Sequence, residues 1–440
     1  MSHPPERASR GATAVFAAAI ALYFVAVVHR TSLGVAGVEA LERFGVEATG
    51  LSMLSVAQVA VYAAMQIPAG HLLDRFGPRR VMVLGGILMA LGQAAMAVTD
   101  SFALAIVARV LIGAGDAPVF ISVSRLVSAW FPPRRVPVLV QLTGLVGQSG
   151  QLVSAVAVAW VLHDFGWSPA FGVLAVVGLA VAGATALRVR MPEAGEQAQA
   201  ALTDRLWVAV RASTATAGNR LGFWSHFLTP FSANVIALLW GVPFFVTAQG
   251  LTAAQASGLL VVLTVAAMIS SPVTGVLTAR HPLRRSWIIL GSAITTALAW
   301  ALLLSASTPR PWWQLAIFCA VLGAGGPISL VGLDFARTWT PAARLGVASG
   351  YVNIGGFTST VAGVLLVGLV LQLASPAGAT VYSLDAYRLA FASLAVPWTI
   401  GLVGVLRSRR LTRADLAAEG VVVPPVREAI ERYRRHRRDS

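Results

Sequence analysis

The chain is divided into apolar runs, each long enough to cross a lipid bilayer. Six lie at 13–38, 49–71, 80–99, 102–129, 136–162 and 168–189. Six more follow a polar stretch, at 222–248, 252–279, 286–306, 312–337, 344–373 and 387–407. A hydrocarbon core ~30 Å thick takes about 20 helical residues to span. Lipid cannot satisfy backbone N–H and C=O groups, so only helices and closed barrels cross it. Barrel strands alternate apolar and polar residues over about ten positions, and these runs do not alternate. Composition agrees: 57% of the 440 residues are hydrophobic and 12% charged, where a soluble domain carries ~25% charge. The predicted fold is an all-α membrane protein with twelve transmembrane helices in two groups of six.

The formal net charge of +15 does not mark nucleic-acid binding, because the basic residues fall in short loops and tails. One set of connections holds Arg7 and Arg10; Arg75, Arg79 and Arg80; Arg134 and Arg135; Arg188 and Arg190; Arg280, Arg284 and Arg285; Arg337 and Arg344; and a tail from Arg407. It alternates strictly with a second set that is poor in Arg, such as "TDS", "HDFGWS" and "AQGLTA". Cytoplasmic loops carry the excess of Lys and Arg, so both termini are expected inside a plasma or inner membrane. Trp167, Trp312 and Trp313 suit the outer boundary. Residues 1–12 read as a retained cytoplasmic arm, because no small-residue cleavage site follows. The bundles are expected at 13–190 and 222–407. A cytoplasmic linker joins them at 191–221, with a short amphipathic helix around 202–212. A basic tail, 408–440, is either a solvated charge run or a contact for anionic lipid. The single Cys319 excludes an internal disulfide.

The two halves repeat. "GHLLDRFGPRR" from Gly70 matches "GVLTARHPLRR" from Gly275 in length, Gly, Leu, Arg and final Arg-Arg. "GAG" at 113 recurs at 323, and "WFPPRR" at 130 is echoed by "WTPAAR" at 339. Asp74 becomes Ala279 and Arg109 falls opposite Cys319. Internal repeats mark transporter folds, with a binding site near the midplane between pseudo-symmetric halves. The Gly70–Arg80 stretch resembles the signature of the major facilitator superfamily, and "RVLIGAG" from Arg109 resembles its fourth-helix motif. The resemblance covers the whole chain and implies secondary active transport by alternating access. In that family the acid at position 74 latches the halves together in the outward-facing state. The gating residues implied are Gly70, Asp74, Arg75, Gly77, Arg79 and Arg80. By its own chemistry Asp74 can cap a helix start and pair with Arg75 or Arg79, and Gly70 and Gly77 permit a tight turn.

Charges inside the apolar runs are the strongest site signal. A charge at the centre of a membrane helix costs on the order of 2.5–3.5 kcal/mol on insertion scales. Arg109 and Asp116 are nearly two turns apart, so they share a face about 10 Å apart. Gly113 and Gly115 thin the helix between them and let a neighbour or a substrate come close. A structural ion-pair strut is the other reading. In the first helix, His29 and Arg30 lie in an apolar run, and Tyr23 shares the face of Arg30. Arg30 has no acid on its own helix within a turn or two. Its partner must come from another helix or from a ligand, and a planar guanidinium suits a carboxylate. His29 can titrate near neutral pH, or it can be a neutral His bonded to a neighbouring helix.

These motifs resemble the anion:cation symporter branch, which includes hexuronate, galactonate and vesicular organic-anion carriers. The resemblance implies that Arg30 meets substrate carboxylate and that Arg109 and Asp116 couple protons to transport. His29 stands where the branch has Asp, which leaves proton stoichiometry open, and Asp116 stands where it has Glu, which shortens the acid by one methylene and alters its reach. Gln58, Tyr62 and Gln66, Gln148 and Gln151, His226, Asn234 and Trp240, and Tyr351 and Asn353 could line the cavity or bond helix to helix. The predicted substrate set is Arg30, Tyr23, Tyr62, Gln66, Gln148, Asn234 and Asn353; the predicted coupling set is Asp116, Arg109 and His29. Asp334 and Arg337 read as gate, paired with loop charges. Pro230 and Pro243 read as bends in the seventh helix.

The function expected is proton-coupled uptake of a small organic anion, a sugar acid or monocarboxylate, by a monomer. The proton is the only coupling ion, with no metal or other cofactor. A proton-coupled drug or metabolite exporter is the alternative, but "GLVGQSGQLVSA" lacks the Gly-Pro step that marks exporters in the superfamily. A nitrate porter would need an Arg in both the second and eighth helices. A receptor built on this fold would have lost the charge constellation. No metal-ligand cluster, nucleophile–base pair or phosphate loop suggests an enzyme.

Overall fold

A computed structural model describes residues 10–45, 48–192, 206–376 and 382–421. The expected arm before residue 10, much of the linker and the tail beyond 421 lie outside the described residues. Among the described residues every regular element is helical. Spans one, four and six are single helices, Arg10–Val35, Phe102–Trp130 and Trp167–Arg188. The second span, Ala48–Ala64, continues past Met65 into Gln66–Val98, which also contains the third. The two are separated at Gly77, whose φ of 78° is a backbone state that L side chains rarely adopt. The fifth span is Val136–Val153 and Ala159–Phe165, joined by a π-helical turn at Ser154–Val158.

In the second half, Arg285–Leu304 is the ninth span and Leu345–Leu373 the eleventh. The eighth, Ala253–Arg280, starts on a reciprocal cap, in which the Thr252 hydroxyl and the Gln255 side chain each accept the other's backbone N–H. The tenth, Trp312–Gly325 and Val331–Trp339, is joined by a 3₁₀ turn at Gly326–Leu330. The seventh runs from Ala217 to Ala248 and bends by 62° before Gly241. Pro230 and Pro243 lie in it, and the bend falls at the π-helical turn Ile236–Trp240. The twelfth is Leu384–Ala392 followed by Ala395–Ala418.

Several expected boundaries shift. The seventh span starts at Ala217, inside the expected linker, and follows a helix at Leu206–Ala215. The last helix runs to Ala418, into the expected tail. A short helix, Gly37–Phe44, occupies the expected first loop. Trp167 is not an interfacial anchor: it is buried against Phe171, 4.4 Å between centroids, and donates to the Met96 carbonyl. Trp312 and Trp313 are exposed.

The halves share one internal design. Gly113 of the fourth span lies on the Gln58 carbonyl of the second, and a Cβ there would overlap it. Gly323 of the tenth lies in the same way on the Leu263 carbonyl of the eighth. Such close approach is how helices adhere in lipid, where apolar burial drives nothing. The outer surface is a band of exposed Leu and Val, including Leu104, Val176, Leu302 and Leu365. An even number of spans puts both ends on one face, here the face of the Gly77 turn.

The hydrogen bonds that join the halves cluster near that face. Gly70 of the second span meets Gly346 at the start of the eleventh, where a Cβ on either would strike the other's carbonyl. The repeat-related contact sets Gly275 of the eighth span against Val138 at the start of the fifth. Nearby, the Ser271 hydroxyl donates to Gln141 Oε1 at 2.9 Å, and Gln141 Nε2 donates to the Pro327 carbonyl at 2.9 Å. Apolar packing continues across the seam, because Leu333, Ala336, Leu345, Ala348 and Val352 join the core of the first half.

Candidate functional site

Between the halves lies a cavity of about 390 Å³, within the ~300–1,000 Å³ common for small-molecule sites. The first half contributes Tyr23, Arg30, Tyr62 and Gln148 to its wall, and the second contributes Asn234 and Asn353. Phe120 and Phe357 add apolar surface: Phe120 packs on Tyr23 at 5.3 Å and Phe357 on Tyr62 at 5.0 Å between centroids. Gln66 of the expected substrate set does not line the cavity. It is buried one turn nearer the face of the Gly77 turn, donates to the Tyr62 carbonyl and accepts from Asn353 Nδ2 at 2.7 Å. Asn234 is engaged with the Thr360 hydroxyl at 3.0 Å, and His226 with the Ser329 carbonyl at 2.9 Å. Tyr351 stacks on Phe223 and is not part of the wall.

Arg30 is the charged group at the wall. Its Nε donates to Asp116 Oδ2 at 2.6 Å and its Nη2 to Asp116 Oδ1 at 2.9 Å. This is the two-point geometry that favours guanidinium over ammonium. The Arg30 side chain keeps 31% of its surface exposed while the Asp116 side chain keeps none. One edge of the guanidinium therefore holds Asp116 and the rest faces the cavity. The Tyr62 ring covers it, 4.7 Å from Cζ to centroid.

The same-face pairing of Arg109 with Asp116 is not what forms. The carboxylate bonds across to the first span, and Arg109 turns its Nη2 to the Arg30 backbone carbonyl at 3.2 Å. The cause is the helix crossing: the first span brings a guanidinium within reach of both Asp116 oxygens, which a residue two turns along the same helix cannot do. Among the described residues, Nε and Nη1 of Arg109 have no acceptor, and neither amide atom of buried Gln58 has a partner. His29 faces away from the cavity. Its Nε2 meets the Leu174 carbonyl of the sixth span at 3.0 Å, and its ring lies on Gly178.

The gating residues divide. Asp74 does not pair with Arg75 or Arg79. Its carboxylate takes Arg125 of the fourth span, and also accepts the N–H groups of Gly346 at 2.8 Å and Val347 at 2.9 Å. It thus caps the start of the eleventh span from the opposite half, where helix N–H groups lack partners. Arg75, Arg79 and Arg80 are exposed and do not bond to the Asp74 carboxylate. Arg125 was not among the expected residues. The signal was available: a buried Arg in an apolar run with no acid on its own helix nearby. In the second half Asp334 holds two cations, Arg285 and Arg337, the latter by Nη2 at 2.6 Å. Arg285 is the last Arg of the repeated motif, so one partner comes from a span rather than a loop.

Model profiles of protein families bear on the whole chain. The one described as Major Facilitator Superfamily matches residues 15–224 and again 222–438. The chain belongs to the Major Facilitator Superfamily. A crystal structure of a Major Facilitator Superfamily transporter, FucP, in the outward conformation superposes with a TM-score of 0.69 at 17% identity, over 89% of this chain and 98% of that one. Such identity speaks to the fold alone. Among sequence relatives is the probable galactarate/D-glucarate transporter GudP of Escherichia coli (strain K12), 29% identical over 34% of this chain and 35% of that protein. The probable L-galactonate transporter of the same strain is 31% identical over 38% and 37%. The probable sulfoacetate transporter SauU of Cupriavidus necator is 27% identical over 36% and 37%. The chain thus matches about a third of the length of these relatives. Fold and relatives of this superfamily member are those of transporters rather than enzymes.

Proposed function

We propose that this protein is a secondary transporter that takes up a small organic anion together with protons. The observation that carries this reading is Arg30, bonded to buried Asp116 on one edge and open to the central cavity on the rest. An arriving carboxylate competes with Asp116 for the same cation. Once the substrate holds Arg30, Asp116 is a carboxylate buried in low dielectric without its partner, and uptake of a proton relieves that cost. Proton and anion are then bound or released together, and rocking of the halves carries both across. Arg109 stays near by its bond to the Arg30 carbonyl and holds the local field positive. The printed names of the relatives cover dicarboxylic, monocarboxylic and sulfonated acids, which supports a sugar acid or a similar small acid as substrate. In this reading the protein works as a monomer in the cytoplasmic membrane with both termini inside, a topology that the Arg-rich loops favour. The proton is its only coupling ion.

The test uses purified protein in liposomes with a trapped pH dye. Galactarate, D-glucarate, L-galactonate, sulfoacetate and simple monocarboxylates are added singly. Acidification of the lumen with one of them, absent for Asp116→Asn and from empty liposomes, is the expected result. The Asn variant should still exchange labelled for unlabelled substrate. Silence across the panel sinks the anion reading; acidification that persists in Asp116→Asn removes Asp116 from coupling.

A further inference from the structure

A second cavity, of about 540 Å³, lies at the termini-bearing end of the second half, away from the central site. It is walled by the start of the ninth span (Arg285, Ser286), the connection after the tenth (Thr338) and the end of the twelfth (Arg409, Arg413, Glu419). Among the described residues its charge is unbalanced. Arg285 and Arg337 share the single Asp334, and Arg409 and Arg413 face only Glu419 across the cavity. Arg285 is 5% exposed, and among the described residues its Nε has no acceptor; neither has Arg409 Nη2. Each guanidinium is otherwise fixed. Arg285 lies over the Phe335 ring and donates to Thr338, and Arg409 lies over the Trp287 ring and donates to Ser286 at 3.0 Å. The ninth span, 20 residues long, opens into the same cavity with no side-chain cap and no acid in its first turn. A helix N-terminus with spare N–H groups attracts an anion. Orphaned guanidinium donors beside it are an independent sign of a missing acceptor.

We propose that this pocket binds a phosphate group, carried in the membrane by an anionic phospholipid. Basic pockets between membrane helices at this face suit such headgroups. The rim is shaped for lipid as well: Leu283 lines the cavity and Trp287 lies under the Arg409 guanidinium, and both are exposed apolar side chains beside the basic wall. The phosphate meets Arg409, Arg413 and the start of the ninth span, and the acyl chains lie over that apolar rim. The site is independent of the transported substrate, and joins the ninth, tenth and twelfth spans through one ligand.

The experiment uses the full chain, delipidated in detergent, in native mass spectrometry. Phosphatidylglycerol, phosphatidylcholine and inorganic phosphate are the probes. Phosphatidylglycerol should bind with preference over phosphatidylcholine, and Arg409→Gln with Arg413→Gln should weaken it about thirty-fold, at roughly five-fold per charge. Glu419→Gln should tighten it about five-fold, which a misfolded variant cannot do. Inorganic phosphate that displaces phosphatidylglycerol and shows the same dependence on the two Arg residues supports the shared chemistry with a soluble source. Equal binding of both lipids, or indifference to all three substitutions, overturns the proposal.

Discussion

Asp116 is tolerated in an apolar bundle because Arg30 covers both of its oxygens. Removing one member of a buried ion pair costs about 3–5 kcal/mol, because the other charge is left alone. Arg30→Ala should therefore lower the melting temperature sharply, and Arg30→Ala with Asp116→Asn should recover most of the loss. Arg30→Lys separates stability from recognition. It keeps the charge but offers a point donor in place of a fork, which gives up one charged hydrogen bond worth about 1.5–3 kcal/mol. Anion affinity should fall about ten- to hundred-fold in titration of the purified protein, with the chain still folded; unchanged affinity would remove Arg30 from the binding wall. The sequence makes the charged residues stand out, since a buried Arg or Asp must find a partner. It does not say which partner, because that depends on how the first and fourth spans cross. Gln66 and His29 illustrate the same limit: their polarity is plain in the sequence, but the face each presents is set by neighbouring helices with no periodic trace.

The closed end is built from elements rather than single bonds. The second and eleventh spans touch backbone to backbone at Gly70 and Gly346, and Asp74 ties the contact by accepting from the N-terminus of the eleventh. A Cβ at Gly346 would meet both the Gly70 carbonyl and the Asp74 carboxylate. Gly346→Val should force the two spans apart and favour the arrangement that is open at the termini-bearing face. Val140 of the fifth span, buried beside Gln141 and Thr278 where the fifth span meets the second half, serves as the reporter for opening at the same face: Val140→Cys should react with an impermeant maleimide at least about ten-fold faster in the Gly346→Val background, as expected for a shift of about 1.4 kcal/mol. Asp74→Asn should act in the same direction and more weakly, since an amide oxygen still accepts one N–H. An unchanged labelling rate in both would mean that the crossing does not control closure. The elements themselves were legible: apolar length marked the spans, and the repeat marked the halves. The breaks were less so. The π-helical turns at Ser154–Val158 and Ile236–Trp240 leave no distinct pattern, because they answer to packing across helices rather than to local propensity.

At the scale of the molecule, the two halves have one design and unequal chemistry. Where the first half places Gln58 and Arg109 beside its helix crossing, the second places Leu263 and Cys319. The charge at the central cavity is thus held by one half, and the other supplies amides and apolar wall. The seam is unequal in the same sense: Asp74 ties the second span to the eleventh, and no acid stands at Ala279 to tie the eighth to the fifth. There the Ser271 and Gln141 hydrogen bonds serve instead. Alternating access requires this weaker seam to part whenever the termini-bearing face opens. Gln141→Cys with Ser271→Cys places two thiols where the side chains now touch, and the one native thiol, Cys319, is buried and replaceable by Ala. A short thiol cross-linker should then stop net flux in liposomes while leaving substrate binding at the central cavity within about two-fold, because the cavity lies on the other side of the seam. Reduction of a cleavable linker should restore flux. If flux continues with the linker in place, the halves do not separate along the fifth and eighth spans, and the motion must turn on the second and eleventh alone.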